Sequence, residues 1–150
     1  MSKIWILVAD SSRARLFSGN ADRSLREIEN RLNPDGRAQD RELVSDRASR
    51  MPAMSGRPRG ALEASSAEDH VTEQFARALR DVLERGRTSG AYDRLALIAP
   101  PEFLGVLRAT AGDQVSRHVI VEIDKNLTER TAAEIGSYLP EHLWREAEQE

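Results

Sequence analysis

The stretch KIWILVADSSRARLFS, residues 3–18, decides the fold because it holds two apolar runs separated by a turn. Residues 4–9 are short, apolar and rich in Ile and Val, which is typical of a central strand that is buried on both faces. Residues 10–12 are Asp-Ser-Ser, whose side chains bond to nearby backbone amides in turns. Residues 13–18 then alternate between polar and apolar, which predicts a second strand antiparallel to the first.

Residues 24–32 fit either a third strand or a short helix, and we favour the strand. Ile28, Asn30 and Leu32 would lie on one face of this strand and Leu25 on the other. A strand at the edge of a sheet presents unpaired backbone groups, so we expect that it could pair edge to edge in a homodimer.

Residues 33–64 change character, since they hold six prolines and glycines and few large apolar side chains. We predict a flexible loop over 33–64, and a loop of this length in a compact domain is usually functional or disordered. Residues 47–60 are locally basic without any acidic residue, and their arginines are Arg47, Arg50, Arg57 and Arg59.

Helical periodicity returns after this loop. Ser65 and Glu68 have the spacing of a capping box, which predicts a first helix that ends at Gly86 or Gly90. Further along the chain we predict a strand over 92–99, a helix that opens at Pro101 and ends at Gly112, a strand over 117–123, and a last helix. The last helix begins at a second capping box, Thr131 with Glu134, and is interrupted at Gly136 and Pro140.

The order of elements is therefore β-β-β-α-β-α-β-α in a single domain over residues 1–150. Three antiparallel strands followed by two crossovers predict an α/β fold of the ribonuclease-H-like type, with a mixed five-stranded sheet. A doubly wound parallel sheet is less favoured, because no helix separates the first strands.

Composition excludes several classes of function. The chain has no cysteine, so disulfides, thiolate metal sites and cysteine nucleophiles are excluded. No signal segment or apolar run long enough to span a membrane is present, which predicts a cytoplasmic protein without membrane insertion. No glycine-rich phosphate cradle occurs, and we expect no cofactor. The net charge of −3 gives no global basic field for nucleic acid.

Four blocks of sequence resemble the host-attachment protein family: WILVADSSRARLF (5–17), EDHVTEQFARAL (68–79), YDRLALIAPPEFLGVLR (92–108) and VEIDKNLTE (121–129). This family is similar to the bacterial relatives of class I peptide-release factors, whose middle domain is ribonuclease-H-like. The resemblance implies that the long loop occupies the place of the Gly-Gly-Gln loop in those factors. The nearest sequence here is Gly-Arg-Ala-Gln at 36–39, so Gln39 is the weak counterpart and peptidyl-tRNA hydrolysis is disfavoured.

Three functional hypotheses remain open. We favour a non-enzymatic module that contacts the ribosome or tRNA through the four loop arginines, with Arg13 and Arg15 as further phosphate contacts. For this pair of strand arginines, a solvated strand face is the simpler interpretation. The second hypothesis follows the family name and assigns the protein a role in attachment to host cells.

The third hypothesis is an enzyme, either a peptidyl-tRNA hydrolase that uses Gln39 or a metal-dependent nuclease. The nuclease would need Asp10 to converge with carboxylates from Asp69, Glu122 and Asp124. We favour Asp10 as a turn residue that accepts backbone hydrogen bonds. His70 and Glu73 have the spacing of half a metal site, and without further ligands we predict no metal site.

Overall fold

A computed structural model describes residues 3–33 and 58–144, and side chains within 3–33 and 69–144. The strands and helices in this part of the chain are, in order, β1 (Ile4–Ala9), β2 (Arg13–Gly19), β3 (Leu25–Leu32), α1 (Pro58–Thr88), β4 (Arg94–Ile98), α2 (Pro101–Ser116), β5 (Val119–Ile123) and α3 (Ala132–Tyr138). Residues 141–144 add a short helical stretch after α3.

The strands form one mixed sheet in the order β3-β2-β1-β4-β5. β1 pairs antiparallel with β2, and β2 antiparallel with β3, as the hairpin logic of the sequence predicts. β1 pairs parallel with β4, and β4 parallel with β5. The mixed five-stranded α/β sheet expected from the sequence is confirmed.

Two apolar clusters cover the two faces of this sheet. On one face Leu7 and Leu97 pack with apolar side chains from α1 and α2, including Phe75 and Phe103. On the other face the sheet packs with the chain that follows β5, including Ile135. β1 contributes to both clusters because successive side chains of a strand point to opposite faces. This explains why its sequence is apolar without alternation.

The first long helix begins earlier than its capping signal predicts. α1 starts at Pro58, so Ser65 lies inside the helix and does not cap its start. Proline is favoured at the first helical position, since its missing N–H has no intrahelical partner there. Residues 58–64, which the sequence assigns to the flexible loop, are therefore helical, and residues 34–57 lie outside the described residues.

The third strand is confirmed and Asn30 and Leu32 share a face as predicted, but the prediction that Leu25 lies on the opposite face is wrong. Arg15 pairs with Asn30 and Gly19 pairs with Leu25, whereas Ile28 has no partner on β2. This bulge inserts one residue into β3 and reverses the alternation beyond it. Leu25 therefore lies on the same face as Asn30, where it packs against the cluster formed with the chain after β5.

Of the glycines predicted to end or interrupt helices, only Gly90 lies at the end of one. α1 continues through Gly86, and the chain turns at Gly90, which has a φ of +76°. Gly112 has a φ of +82° and kinks α2, but helical structure resumes to Ser116. Gly136 lies within α3 and does not interrupt it. Among the described residues, none of the helices is long and apolar enough to cross a membrane.

Candidate functional site

The candidate site is an open cleft of about 670 Å³ where β1 ends. Its walls come from two loops, the turn between β1 and β2 and the segment between β5 and α3. The carboxyl ends of parallel strands meet at one edge of a sheet, and ligand sites of α/β folds commonly lie there. The cleft is lined by polar side chains, namely Asp10, Ser12, Arg13, Asn126, Thr128, Glu129 and Arg130.

Asp10 organises the turn that follows β1. Its Oδ1 accepts hydrogen bonds from the backbone N–H groups of Ser12 (2.8 Å) and Arg13 (2.9 Å). Its own N–H donates to the carbonyl oxygen of Arg13 at 2.9 Å. The interpretation of Asp10 as a turn residue is therefore confirmed.

The second carboxylate oxygen of Asp10 binds the other wall of the cleft. Oδ2 accepts hydrogen bonds from Nδ2 of Asn126 (3.1 Å) and from Oγ1 of Thr128 (3.3 Å). Asn126 is held in turn, because its Oδ1 accepts from the backbone N–H of Thr128 at 3.1 Å. Four donors therefore occupy the Asp10 carboxylate, which supports a structural role over metal binding.

Two arginines of β2 clamp the same loop. The guanidinium groups of Arg13 and Arg15 both donate to the carbonyl oxygen of Thr128, the latter at 3.0 Å. Arg15 also donates to the carbonyl oxygen of Arg130 at 2.6 Å. Neither side chain lies on a simple solvated strand face. Contact of either with phosphate stays a prediction.

Arg15 is further fixed by an ion pair with the neighbouring strand. Its Nε and Nη2 donate to the two carboxylate oxygens of Glu27 at 3.1 and 3.0 Å. The guanidinium also lies 5.0 Å from the centre of the Phe17 ring, within the range of a cation–π contact. The hydrogen bonds from Arg15 lower the pKa of Glu27 below its ordinary value.

Two of the carboxylates suggested as metal ligands beside Asp10 do not line the cleft that contains Asp10. Asp69 is exposed on α1, and Glu122 forms an ion pair with Arg108 at 2.6 Å. Glu73, the suggested partner of His70, pairs with Arg77. Within 3–33 and 69–144, no group of three or more Asp, Glu and His side chains could hold a metal ion.

Most of the candidate functional residues in the predicted loop lie outside the residues that the structure describes. Gln39, Arg47, Arg50 and Arg57 lie outside the described residues. Arg59 lies near the start of α1, as its second residue. Whether these arginines bind RNA stays a prediction.

Three residues that hold the site together were missed by sequence reasoning. Asn33 is buried, and its backbone N–H and side-chain Nδ2 donate to the carbonyl oxygens of Ser12 (2.8 Å) and Ser11 (3.0 Å). Asn126 and Thr128 bind Asp10 from more than 100 residues away. The spacing of Asn126 and Thr128 fits a local side-chain turn, which was the one signal available in the sequence.

The comparisons with known proteins give one family. The sequence pattern of the family described as "Protein required for attachment to host cells" matches residues 5–139. Among curated proteins, none matches the chain. The matched range covers the five strands except for Ile4, and it includes both walls of the cleft.

Proposed function

The chain belongs to the family of proteins required for attachment to host cells, and we propose that it is a non-enzymatic binding module that contacts ribosomal or transfer RNA. The contact would be made by the four arginines at 47, 50, 57 and 59. This segment carries local positive charge in a protein of net charge −3. Basic side chains bind the phosphate backbone of nucleic acids through charge-assisted hydrogen bonds.

The observation that supports this proposal is the place where the chain leaves the sheet on its way to the basic segment, at Asn33. Asn33 is anchored by two hydrogen bonds to the turn at Ser11 and Ser12. Ser12 also lines the cleft. The chain that leads to the basic segment therefore leaves the sheet beside a polar cleft that contains Arg13 and Arg130. Arginines from the segment and from the cleft could contact one RNA together.

The bonding of Asp10 favours binding over catalysis. A nuclease of the two-metal type needs carboxylates that are available to metal ions. The Asp10 carboxylate already accepts from Ser12, Arg13, Asn126 and Thr128. Turning it towards a metal would break contacts that hold both walls of the cleft.

The proposal includes release-factor-like descent with a ribonuclease-H-like fold. The strand order is β3-β2-β1-β4-β5, and β2 alone runs in the direction opposite to the other four strands. This topology supports the assignment. A Gly-Gly-Gln motif is absent from the sequence. A protein of this descent would then keep ribosome or tRNA contact without hydrolysing peptidyl-tRNA.

The test is co-sedimentation with ribosomes at low and high salt, with and without nuclease. If four arginines each contact a phosphate, binding should weaken by roughly 50-fold between 50 and 200 mM salt. Changing Arg47, Arg50, Arg57 and Arg59 together to alanine should abolish co-migration. A control variant changes four exposed arginines elsewhere to alanine, with the same loss of charge: Arg26, Arg77, Arg85 and Arg117. Equal loss in both variants, or binding that ignores salt, would overturn the proposal.

The family description supports a second candidate function, a role in attachment to host cells. The role could be direct at the cell surface or indirect through regulation. Deleting the gene should then reduce adhesion of the bacterium to host cells, and the intact chain should restore it. Detecting the protein outside intact cells, without a marker of lysis, would favour the direct role. Adhesion that is unchanged by deletion would exclude both forms.

A further inference from the structure

Two of the three large apolar side chains that are exposed in the described part of the chain lie on β3. Ile28 and Leu32 are 38% and 51% exposed, although both are large and apolar. β3 pairs with β2 on one side, and no described strand pairs with its other side. Native proteins usually shorten, charge or cover such an edge, because it can template pairing with another strand.

Hydrogen bonding defines which backbone groups face outwards on this edge. The N–H of Asn33 donates to the carbonyl oxygen of Ser12, so Asn33 faces β2. Bonded and non-bonded positions alternate along an antiparallel pair. Arg31 and Glu29 therefore also direct their backbone groups to β2, whereas Leu32 and Asn30 direct theirs away from the sheet.

We propose that β3 pairs antiparallel with β3 of a second copy of this chain, about a two-fold axis at Asn30. The two five-stranded sheets would then form one continuous sheet of ten strands. In this register Glu29 of each copy lies opposite Arg31 of its partner, so the charged positions match. The bulged residue Ile28 of one copy then lies near Leu32 of the other.

The two-fold registers with an axis at Ile28, Glu29 or Arg31 oppose like charges, whereas an axis at Leu32 opposes Arg31 with Asn33 and forms no pair between Glu29 and Arg31. An axis at Glu29 places two glutamates opposite each other, and an axis at Arg31 places two arginines opposite each other. An axis at Ile28 places Glu27 opposite Glu29 twice. Like charges directly opposite each other destabilise a pair of strands. The self-complementary pattern of residues 28–32 thus selects the axis at Asn30 and a second copy as the partner.

Among the described elements, the chain after β5 packs against the start of β3. α3 packs towards the start of β3, where a Cβ added at Gly136 would lie 4.0 Å from the Arg23 carbonyl oxygen and from the Leu25 side chain. Glu29 and Arg31 form an ion pair within the chain at 2.9 Å, with side chains 38% and 39% exposed. In the dimer, two such pairs would close into a ring of four alternating charges.

The test uses two charge-reversal variants, Glu29→Arg and Arg31→Glu. In a dimer of either variant alone, residues 29 and 31 carry like charges and oppose each other on both sides of the axis. The dimer of each variant should therefore weaken by about 10- to 30-fold. When the two variants are mixed, every opposed pair in the mixed dimer is complementary. We expect sedimentation equilibrium to show dimers for the wild type and for the mixture, and monomers for each variant alone.

This design separates the dimer from other effects of the substitutions. The ion pair within the chain is lost in both variants and is not restored by mixing, so only contact between copies can rescue the dimer. A matched control reverses Glu73 and Arg77, an exposed ion pair on α1, which should leave the wild-type dimer intact. Nuclease-treated protein is used, so the result does not depend on RNA binding.

A cysteine on the axis tests the register directly. The chain has no natural cysteine, so Asn30→Cys introduces a single thiol. Opposed residues of a bonded pair have Cα atoms about 5.5 Å apart, which a disulfide can span. Oxidation should link the Asn30→Cys chains and not the Arg26→Cys chains. A monomeric wild type, a lack of rescue on mixing, or equal linkage of both cysteine variants would overturn the proposal.

Discussion

Nδ2 of Asn126 donates a hydrogen bond of 3.1 Å to Oδ2 of Asp10, joining two residues that are 116 positions apart. This bond connects the loop after β5 to the turn after β1 and thereby closes one end of the sheet. The same loop leads into α3, which covers a sheet face. The bond therefore links the shape of the cleft to the packing of the carboxyl-terminal part of the domain.

Asp10→Asn should destabilise the protein without unfolding it. The side-chain oxygen of asparagine can still accept from the turn amides, but its amide nitrogen would face the donor of Asn126. We expect the free energy of unfolding to fall by about 1–2 kcal/mol in urea denaturation. Adding Asn126→Asp should restore part of that loss, because the new carboxylate can accept from the new amide.

The control for Asp10→Asn is Asp113→Asn, an exposed change on α2 that should alter stability by less than about 0.5 kcal/mol. Independent effects of Asp10→Asn and Asn126→Asp in a double-mutant cycle would contradict the proposed link. A Mg²⁺-dependent nuclease activity lost in Asp10→Asn, with the fold intact, would instead favour the enzymatic alternative.

Arg15→Lys should loosen the loop between β5 and α3. One ammonium group cannot reproduce the planar fork that donates to Glu27 and to the carbonyl oxygens of Thr128 and Arg130. We expect a loss of about 1–2 kcal/mol and faster hydrogen exchange over residues 127–139. Exchange in β4 should change less. The exposed Arg26→Lys serves as the control, and similar exchange in both variants would show that Arg15 does not hold the loop.

The turn and strands of residues 4–18 could be predicted because their signals are local. An apolar run, a turn residue and an alternating run each act over a few positions, and Asp10 was correctly assigned to the turn for this reason. The pairing of Asp10 with Asn126 and Thr128 could not be predicted. It depends on the path of a loop that returns to the sheet after two crossovers.

The two wrong predictions, the face of Leu25 and the start of α1, also have physical causes. The bulge at Ile28 has no glycine to mark it, so simple alternation placed Leu25 on the wrong face. At the start of α1 two signals competed, Pro58 and the Ser65 capping pattern. Alanine, leucine and glutamate between them favour helix and allow it to extend back to the proline.

Gly86→Ala should destabilise the protein although alanine favours helix. A Cβ at Gly86 would lie 2.4 Å from two ring carbons of Trp5, and 3.1 Å from the ring of Tyr92. Trp5 and Tyr92 stack on each other, with ring centres 4.8 Å apart, so neither ring can move freely. We expect a net loss of about 1–3 kcal/mol in urea denaturation.

The matched control for Gly86→Ala is Gly105→Ala in α2. A Cβ at Gly105 would meet no atom within 4 Å beyond its chain neighbours and the backbone of its own helix. Since alanine is favoured over glycine in helices, this variant should gain about 0.5–1 kcal/mol. If both alanine variants were stabilised, the close approach of α1 to Trp5 would be disproved.

Tyr92 should make the protein less stable at alkaline pH. Burial raises the pKa of its phenol from 10.0 to about 12, and its hydroxyl donates to the carbonyl oxygen of Leu83 at 2.8 Å. Below pH 10 the phenol is protonated in both the folded and the unfolded chain, so it adds no pH dependence. Between pH 10 and 12 the unfolded chain binds fewer protons, so the free energy of unfolding should fall by about 1–2 kcal/mol.

Tyr92→Phe removes this alkaline contribution. The variant should be less stable than the wild type near neutral pH by about 1 kcal/mol, because the bond to Leu83 is lost. Its free energy of unfolding should then approach that of the wild type as the pH rises towards 12. Urea denaturation from pH 8 to 12 measures both curves, and Tyr138→Phe, at a residue 41% exposed, is the control. A constant difference between wild type and Tyr92→Phe across this range would show that the buried phenol does not cause the alkaline loss.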